Sequence, residues 1–354
     1  MDNTPITHTP EARAQESNAL LQDAGAAASS QTSIKPSNNA KAADKPSMAG
    51  AQLHAIGSIA DISANWSAKV VVASEEQTDR AKMAAVYESM AATFVRDGLN
   101  LAAIVAIRQF YGGLDADPEP LYYEHFPTPL QQGAVRLVVF KPTSNILDPV
   151  HQDPLLHLAH QACQDILASA PSGMQPHASL PENYHLTVFM TSQPGDPRPD
   201  PFVPGGGIDP IHPPVPIPAP TSAVLQQEID ICRQIALTAA PAFEVHSVVL
   251  ANSGTLLLCL VDTTGQLAGL RQKIRQAFPG ASSKQSSIMH MTLGRVLKAR
   301  QLTDADRELM QQRCSLWSSK LKGTVFKPEV LWHVQEHQFT TVAGVCEPLP
   351  LSQP

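Results

Sequence analysis

The chain has 354 residues, a formal net charge of -7, 43% hydrophobic but only 5% aromatic residues, 31 prolines and 19 glycines. That apolar fraction can bury a core, so the chain as a whole is not disordered, while the proline excess places part of it outside compact structure. The acidic balance argues against broad electrostatic capture of long duplex nucleic acid, which needs many phosphate contacts. No run of about 18 apolar residues is present to cross a membrane as a helix.

Residues 1–65 contain no Phe, Trp or Tyr and are rich in Ala, Ser, Asn and Gln. Such a segment cannot offset its ordering entropy and is expected to be disordered. Its first residues carry early acids and no apolar stretch, so no secretory signal is expected. Residues 66–125 read as a helical N-terminal extension, with apolar positions at helical spacing across 78–112 and a stop at Gly112-Gly113.

Residues 126–345 read as the main domain. Val135–Phe140 is a β-rich run. Asp153–Ala170 has a helical period, with Asp153 as N-cap and Pro154 at the first helical position. Tyr184–Met190 is a second strand. Residues 191–220 hold 11 prolines and the run Gly205-Gly206-Gly207, which excludes a helix or central strand and predicts a long exposed loop. Ala223–Ala239 is helical, and Phe243–Leu250 and Thr255–Val261 are strands across the turn Asn252-Ser253-Gly254. Gly265–Phe278 is a helix, Ile288–Val296 a strand, Asp304–Leu321 a helix capped by Thr303 or Asp304, and Val325–His333 a last strand. Residues 346–354 read as a frayed tail. The five cysteines, Cys163, Cys232, Cys259, Cys314 and Cys346, are widely spaced without a CxxC. They read as reduced, buried thiols of a cytoplasmic protein.

The order strand, helix, histidine-bearing strand occurs twice, a weak internal duplication. The two histidine strands read His185-Leu186-Thr187-Val188 and His290-Met291-Thr292-Leu293. On a strand, residues i and i+2 share a face, so each strand offers an imidazole and a hydroxyl on one side and apolar residues on the other. Histidine titrates near neutrality, so of two imidazoles one can act as base and the other as acid. A phosphodiester displacement uses that pair. One histidine takes a proton from water or a ribose hydroxyl, and the other protonates the leaving ribose oxygen. The hydroxyls of Thr187 and Thr292 can donate to the non-bridging phosphate oxygens. The scheme requires no metal and no cofactor.

With these two motifs the sequence resembles the two-histidine phosphoesterases, the superfamily of the 2'-5' RNA ligases and cyclic phosphodiesterases. Residues 185–188 and 290–293 match its two motifs of His, apolar, Thr or Ser, apolar, and the strand–helix order matches over about 133–335. The resemblance implies an α+β, bilobal, pseudo-symmetric fold of two antiparallel sheets flanked by helices around a central cleft. It implies hydrolysis of a 2',3'-cyclic phosphate, or cleavage or ligation of a 2'-5' or 3'-5' linkage, on an RNA end or small nucleotide. It also implies that His185 and His290 are catalytic and that Thr187 and Thr292 bind the phosphate. The N-terminal helices and the proline loop lie outside the family pattern.

Other features compete with these four residues. His157 and His160 sit at i, i+3 on one helix near His151, and His333, Glu336 and His337 resemble a zinc HxxEH, which requires a helix where a strand and turn are expected. His246 reads as core or surface. Alternation puts Arg295 on the face opposite His290 and Thr292 unless the strand bulges, and a surface salt bridge is its default reading. Tyr184 is expected to pack, while Phe140 and Tyr123 are candidates for stacking a base. Lys141 and Arg136 are phosphate attractors without a place, and Arg271, Lys273 and Arg275 read as a solvated helix face. The competing function is a catalytically inactive nucleotide-binding or protein-interaction module of the same fold. A third is a zinc hydrolase.

Overall fold

The computed structural model describes residues 72–142, 154–209, 211–212 and 214–352. The segment 1–65 and the expected cap Asp153 lie outside the described residues. Helices α1 (Val72–Asp97) and α2 (Leu101–Arg108) divide the expected 78–112 helical region. The break falls at Asn100, whose side chain caps α2 by accepting from the Ala103 N–H at 3.0 Å.

The elements then follow as β1 (Val135–Phe140), α3 (Pro154–Ala168), β2 (Pro176–Ala178), β3 (Leu186–Ser192), α4 (Ser222–Ala236), β4 (Phe243–Leu250) and β5 (Thr255–Asp262). After them come α5 (Gln266–Ala277), β6 (His290–Val296), α6 (Asp304–Leu321), β7 (Val325–Phe326), β8 (Val330–Glu336) and β9 (Gly344–Pro350). The fold is α+β, a curled antiparallel sheet with six helices among the described residues. Hydrogen bonding joins the strands in one nine-stranded sheet, in place of the two sheets expected. Its order is β7-β4-β5-β6-β3-β1-β8-β9, with β2 alongside β6. The two histidine strands are therefore neighbours at its centre.

The sheet buries both faces, differently. On one face Val138, Phe140, Leu186, Val188, Leu258, Leu260 and Met291 meet the apolar stripes of α3, α4, α5 and α6 in the main core. On the other face α1 lays Met83, Tyr87 and Met90 against Val249, Leu257 and Cys259. Further along that second face, Leu137, Val139, Trp332 and Val334 form a separate cluster. The middle of α1 thus packs on the face that carries the histidines, while Phe94, Leu99 and Ile104 around the α1–α2 break join the main core.

A buried ionic cluster ties the main core to the proline loop. Arg136 and Glu228 are fully buried and paired at 2.9 Å. The same carboxylate takes His333 Nε2 at 2.9 Å and the Thr191 hydroxyl at 2.7 Å. Burial alone pushes the Glu228 carboxyl up, but Arg136, His333 and Thr191 override it and hold it at about 2. Arg136 also donates to Arg198 O at 2.8 Å, which anchors the loop. This explains two departures from expectation. Arg136 serves the fold rather than a phosphate, and the 191–220 loop is partly packed, with Phe202 against Phe278 at 5.4 Å and Ile217 buried beside Leu130.

The expected last strand is two strands, β7 and β8, because Lys327-Pro328-Glu329 interrupts it and proline has no N–H to give a ladder. The expected tail instead begins with β9, an edge strand on β8 whose Leu349 is fully buried. An edge strand tolerates the prolines at 348 and 350, so the residues that suggest a frayed tail are compatible with a strand there.

Candidate functional site

Leu186 on β3 pairs with Met291 on β6, antiparallel. Both point into the main core. Continuing that register one residue each way sets His185 opposite Thr292, and Thr187 opposite His290, all four on the other face. His185 and His290 are then diagonal neighbours, a relationship that puts Cβ atoms about 7–8 Å apart. The structure brings the four sequence-predicted residues together as a square of alternating imidazole and hydroxyl.

Thr187 is 9% exposed, while His185, His290 and Thr292 are half-buried at the rim. Burial pushes both imidazoles down to about 4, and His185 depresses His290 further. His185 Nδ1 lies 2.7 Å from Asn183 O, which fixes a proton on Nδ1 and leaves Nε2 as an acceptor in the neutral ring. The Ile288 carbonyl acts on His290 in the same sense, but no hydrogen bond closes at His290 Nδ1.

Below the registered pair β3 and β6 part, and side chains take the place of the ladder. Arg271 on α5 donates from Nε to Val188 O at 2.9 Å and from Nη2 to Thr187 O at 3.1 Å. Gln285 then mimics a strand against Met190, accepting from its N–H at 2.8 Å and donating to its carbonyl at 2.9 Å. Burial lowers the Arg271 guanidinium to about 10, and its charge also acts on His290. Arg271 is therefore no solvated residue. Arg275 also turns inward, donating to Ala281 O and lying 4.7 Å over the Phe189 ring. The helical pattern shows three basic residues but not which of them spans a gap between strands.

Arg295 corrects the alternation rule. Thr292 opposes Leu257 whereas Gly294 opposes Leu256, so Leu293 is an extra residue, a β-bulge. The bulge turns Arg295 onto the same face as His290 and Thr292, opposite Thr255, to whose hydroxyl it donates at 2.6 Å. Gly294 makes the bulge possible, because a Cβ there would sit 2.7 Å from His177 O and 2.9 Å from Leu167. His177 on β2 lies opposite Arg295 and gives no signal in the sequence, since the three-residue β2 has no periodic signature.

Tyr87 of α1 is a second contributor without a signal of its own in the sequence. Its hydroxyl lies 2.7 Å from Leu260 O and 2.8 Å from Met289 O, and accepts from the Met289 N–H at 3.1 Å. It fixes the backbone immediately before His290.

The remaining candidates fall away. Phe140 is fully buried in the main core, and Tyr123 is buried with its hydroxyl on Glu336, so neither presents a ring to a base. Tyr184 is buried, as expected. His246 sits half-buried, its ring 5.5 Å from Tyr87. His151 lies outside the described residues, and His157 and His160 bond to Gln161 and Gln164. His333 and Glu336 lie on β8 rather than a helix and have separate partners in Glu228 and Tyr123. No group of three His, Cys, Asp or Glu side chains among the described residues is arranged to hold a metal ion. The described cysteines form no disulfide, and all but Cys346 are buried.

No known family model and no curated protein matches the chain. Solved structures do. A conserved protein of unknown function, ATU0111 of Agrobacterium tumefaciens, is 14% identical over 66% of this chain and 94% of its own, with a TM-score of 0.41. TT0787 of Thermus thermophilus is 10% identical over 61% of this chain and 94% of its own, with a TM-score of 0.33. Kluyveromyces marxianus Usb1 is 11% identical over 62% of this chain and 99% of its own, with a TM-score of 0.35. Likeness at this level carries no argument about what the chain does. The site's own geometry has to supply that.

Proposed function

We propose that the protein is a metal-independent phosphodiesterase acting on RNA ends or small cyclic nucleotides, with His185 and His290 as the acid–base pair. The observation that supports this most directly is the β3–β6 register, which sets two imidazoles diagonally and two hydroxyls between them on one face. A phosphoryl group seated over that square meets an imidazole on either side, as in-line displacement requires. Thr187 and Thr292 donate to its non-bridging oxygens. The bound anion favours protonation of one imidazole, which supplies the acid that the free protein lacks near neutrality. The pseudo-symmetric, bilobal reading agrees with the strand order on either side of the β6–β3 seam, where β5 and β4 mirror β1 and β8.

A second reading, a nucleotide-binding module without turnover, draws on one observation. Both imidazoles are held at about 4, so the free protein carries neither as a cation at neutral pH. Turnover assays on 2',3'-cyclic nucleotides and short oligonucleotides in EDTA, run beside calorimetry with the same ligands, separate the two. Ring opening or end trimming in EDTA is the expected result. Binding without turnover selects the module, and turnover only with added zinc selects neither.

A further inference from the structure

The square of residues has a fifth neighbour. Val139 on β1 opposes Thr187, and Phe140 opposes Leu186. One step further, that register sets Lys141 opposite His185, on the same face. Two rows therefore cross the strands, Lys141–His185–Thr292 and Val139–Thr187–His290. The second row has an aliphatic side chain beside its hydroxyl, whereas the first has a cation beside its imidazole.

Lys141 is only 8% exposed, and among the described residues it has no hydrogen-bond acceptor or ion-pair partner. Its surroundings are apolar. Val139, Val330 and Trp332 lie on the adjoining β1 and β8 positions of that face. Glu182 and the Cys346 thiol act on it only at a distance, and burial lowers its pKa. A methionine there would fill the space of the buried stem without the cost of partly desolvating an ammonium. Lys141 is near enough to His185 for its charge to depress that imidazole. A largely buried lysine whose ammonium reaches solvent, with no ion-pair partner among the described residues, beside a candidate anion site is suited to meet charge on a ligand.

We propose that Lys141 is a third phosphate-binding group, its ammonium ligating a non-bridging oxygen of the bound phosphoryl group on the His185 side. This rests on the phosphodiesterase reading and deepens it. The site becomes one for an anionic phosphodiester or monophosphate rather than a neutral ester. A compact point charge on a flexible stem suits a phosphate oxygen without demanding bidentate geometry.

The test is calorimetric titration of the full chain with inorganic phosphate and with a nucleoside 2',3'-cyclic phosphate, beside thermal melting. The proteins are wild type, Lys141→Met, Lys141→Gln, Lys141→Arg and His290→Ala. Lys141→Met and Lys141→Gln are expected to weaken both ligands about 10- to 100-fold, the worth of one charge-assisted hydrogen bond. Their melting temperature stays the same or rises, and Lys141→Arg recovers part of the affinity. Unchanged affinity in both charge-removing variants, or a lower melting temperature with affinity intact, overturns the Lys141 assignment. If His290→Ala loses affinity or turnover in that case, the phosphodiesterase reading survives alone. If the wild type binds neither ligand, both fall.

Discussion

Leu186 on β3 and Met291 on β6 form the one registered backbone pair between the histidine strands among the described residues. That single pair sets the geometry of His185, Thr187, His290 and Thr292. A slip of one residue by either strand would send that strand's histidine and threonine into the main core and bring its Leu186 or Met291 out, so burial of the two apolar residues enforces the register. The seam is held by little ladder, and Arg271 replaces much of the rest by donating to two β3 carbonyls.

Removing that replacement has a defined cost. Arg271→Met leaves Thr187 O and Val188 O without their donor inside the protein. The expected loss is about 1–3 kcal/mol of unfolding free energy, measured by urea denaturation. A lower kcat/KM accompanies it, because Thr187 loses its support. A variant as stable and active as wild type would mean that another donor or water serves those carbonyls.

The Arg136–Glu228–His333 cluster is more sensitive. Glu228→Gln leaves the fully buried Arg136 guanidinium uncompensated, and breaking such a pair from one side costs about 3–5 kcal/mol. Denaturant titration should show a large fall in midpoint. A fall of a few tenths would show that the cluster relaxes into contact with solvent.

The histidines make stability depend on acid. In the fold His185 and His290 are held at about 4, against 6.5 for an unperturbed imidazole. Between those values the unfolded chain binds more protons than the native one, so stability rises with pH across the window. Their contribution is complete above pH 6.5 and is lost progressively as pH falls toward 4. Replacing both with Gln should flatten the midpoint–pH curve between 4 and 6.5. A curve unchanged by the double substitution would place both imidazoles in water-like surroundings.

The same depression shapes the rate profile. In the free enzyme the productive form has one imidazole protonated and one neutral. With both near 4, that form declines about tenfold per pH unit on the neutral side. The pH optimum of kcat/KM therefore lies on the acid side, while that of kcat, which reports the complex, lies higher because bound phosphate favours the protonated ring. Coincident optima would contradict this.

Most helices and strands are legible in the sequence because their apolar periods are long and their stops are glycines and prolines. β4 and β5 follow from their β-rich runs on either side of the Asn252-Ser253-Gly254 turn. The site is legible for a different reason, since two matching His-x-Thr strands in a repeated context point to shared chemistry. What escapes depends on pairing rather than pattern. The bulge at Leu293 that turns Arg295 round arises only when β6 meets β5. β9 is a strand only because β8 offers an edge. Lys141 has no local signature, and its place beside His185 follows from the β1–β3 register.

The proposed chemistry depends most heavily on the two imidazoles acting as one unit, and one measurement addresses it directly. That measurement is the rate of 2',3'-cyclic nucleotide opening by wild type, His185→Ala, His290→Ala and the double variant, with folding checked by circular dichroism. Each single substitution should lower kcat by about 10²–10⁴, and the double variant should fall little below the worse single, since residues acting together are not additive. Full activity in either folded single variant would contradict the assignment.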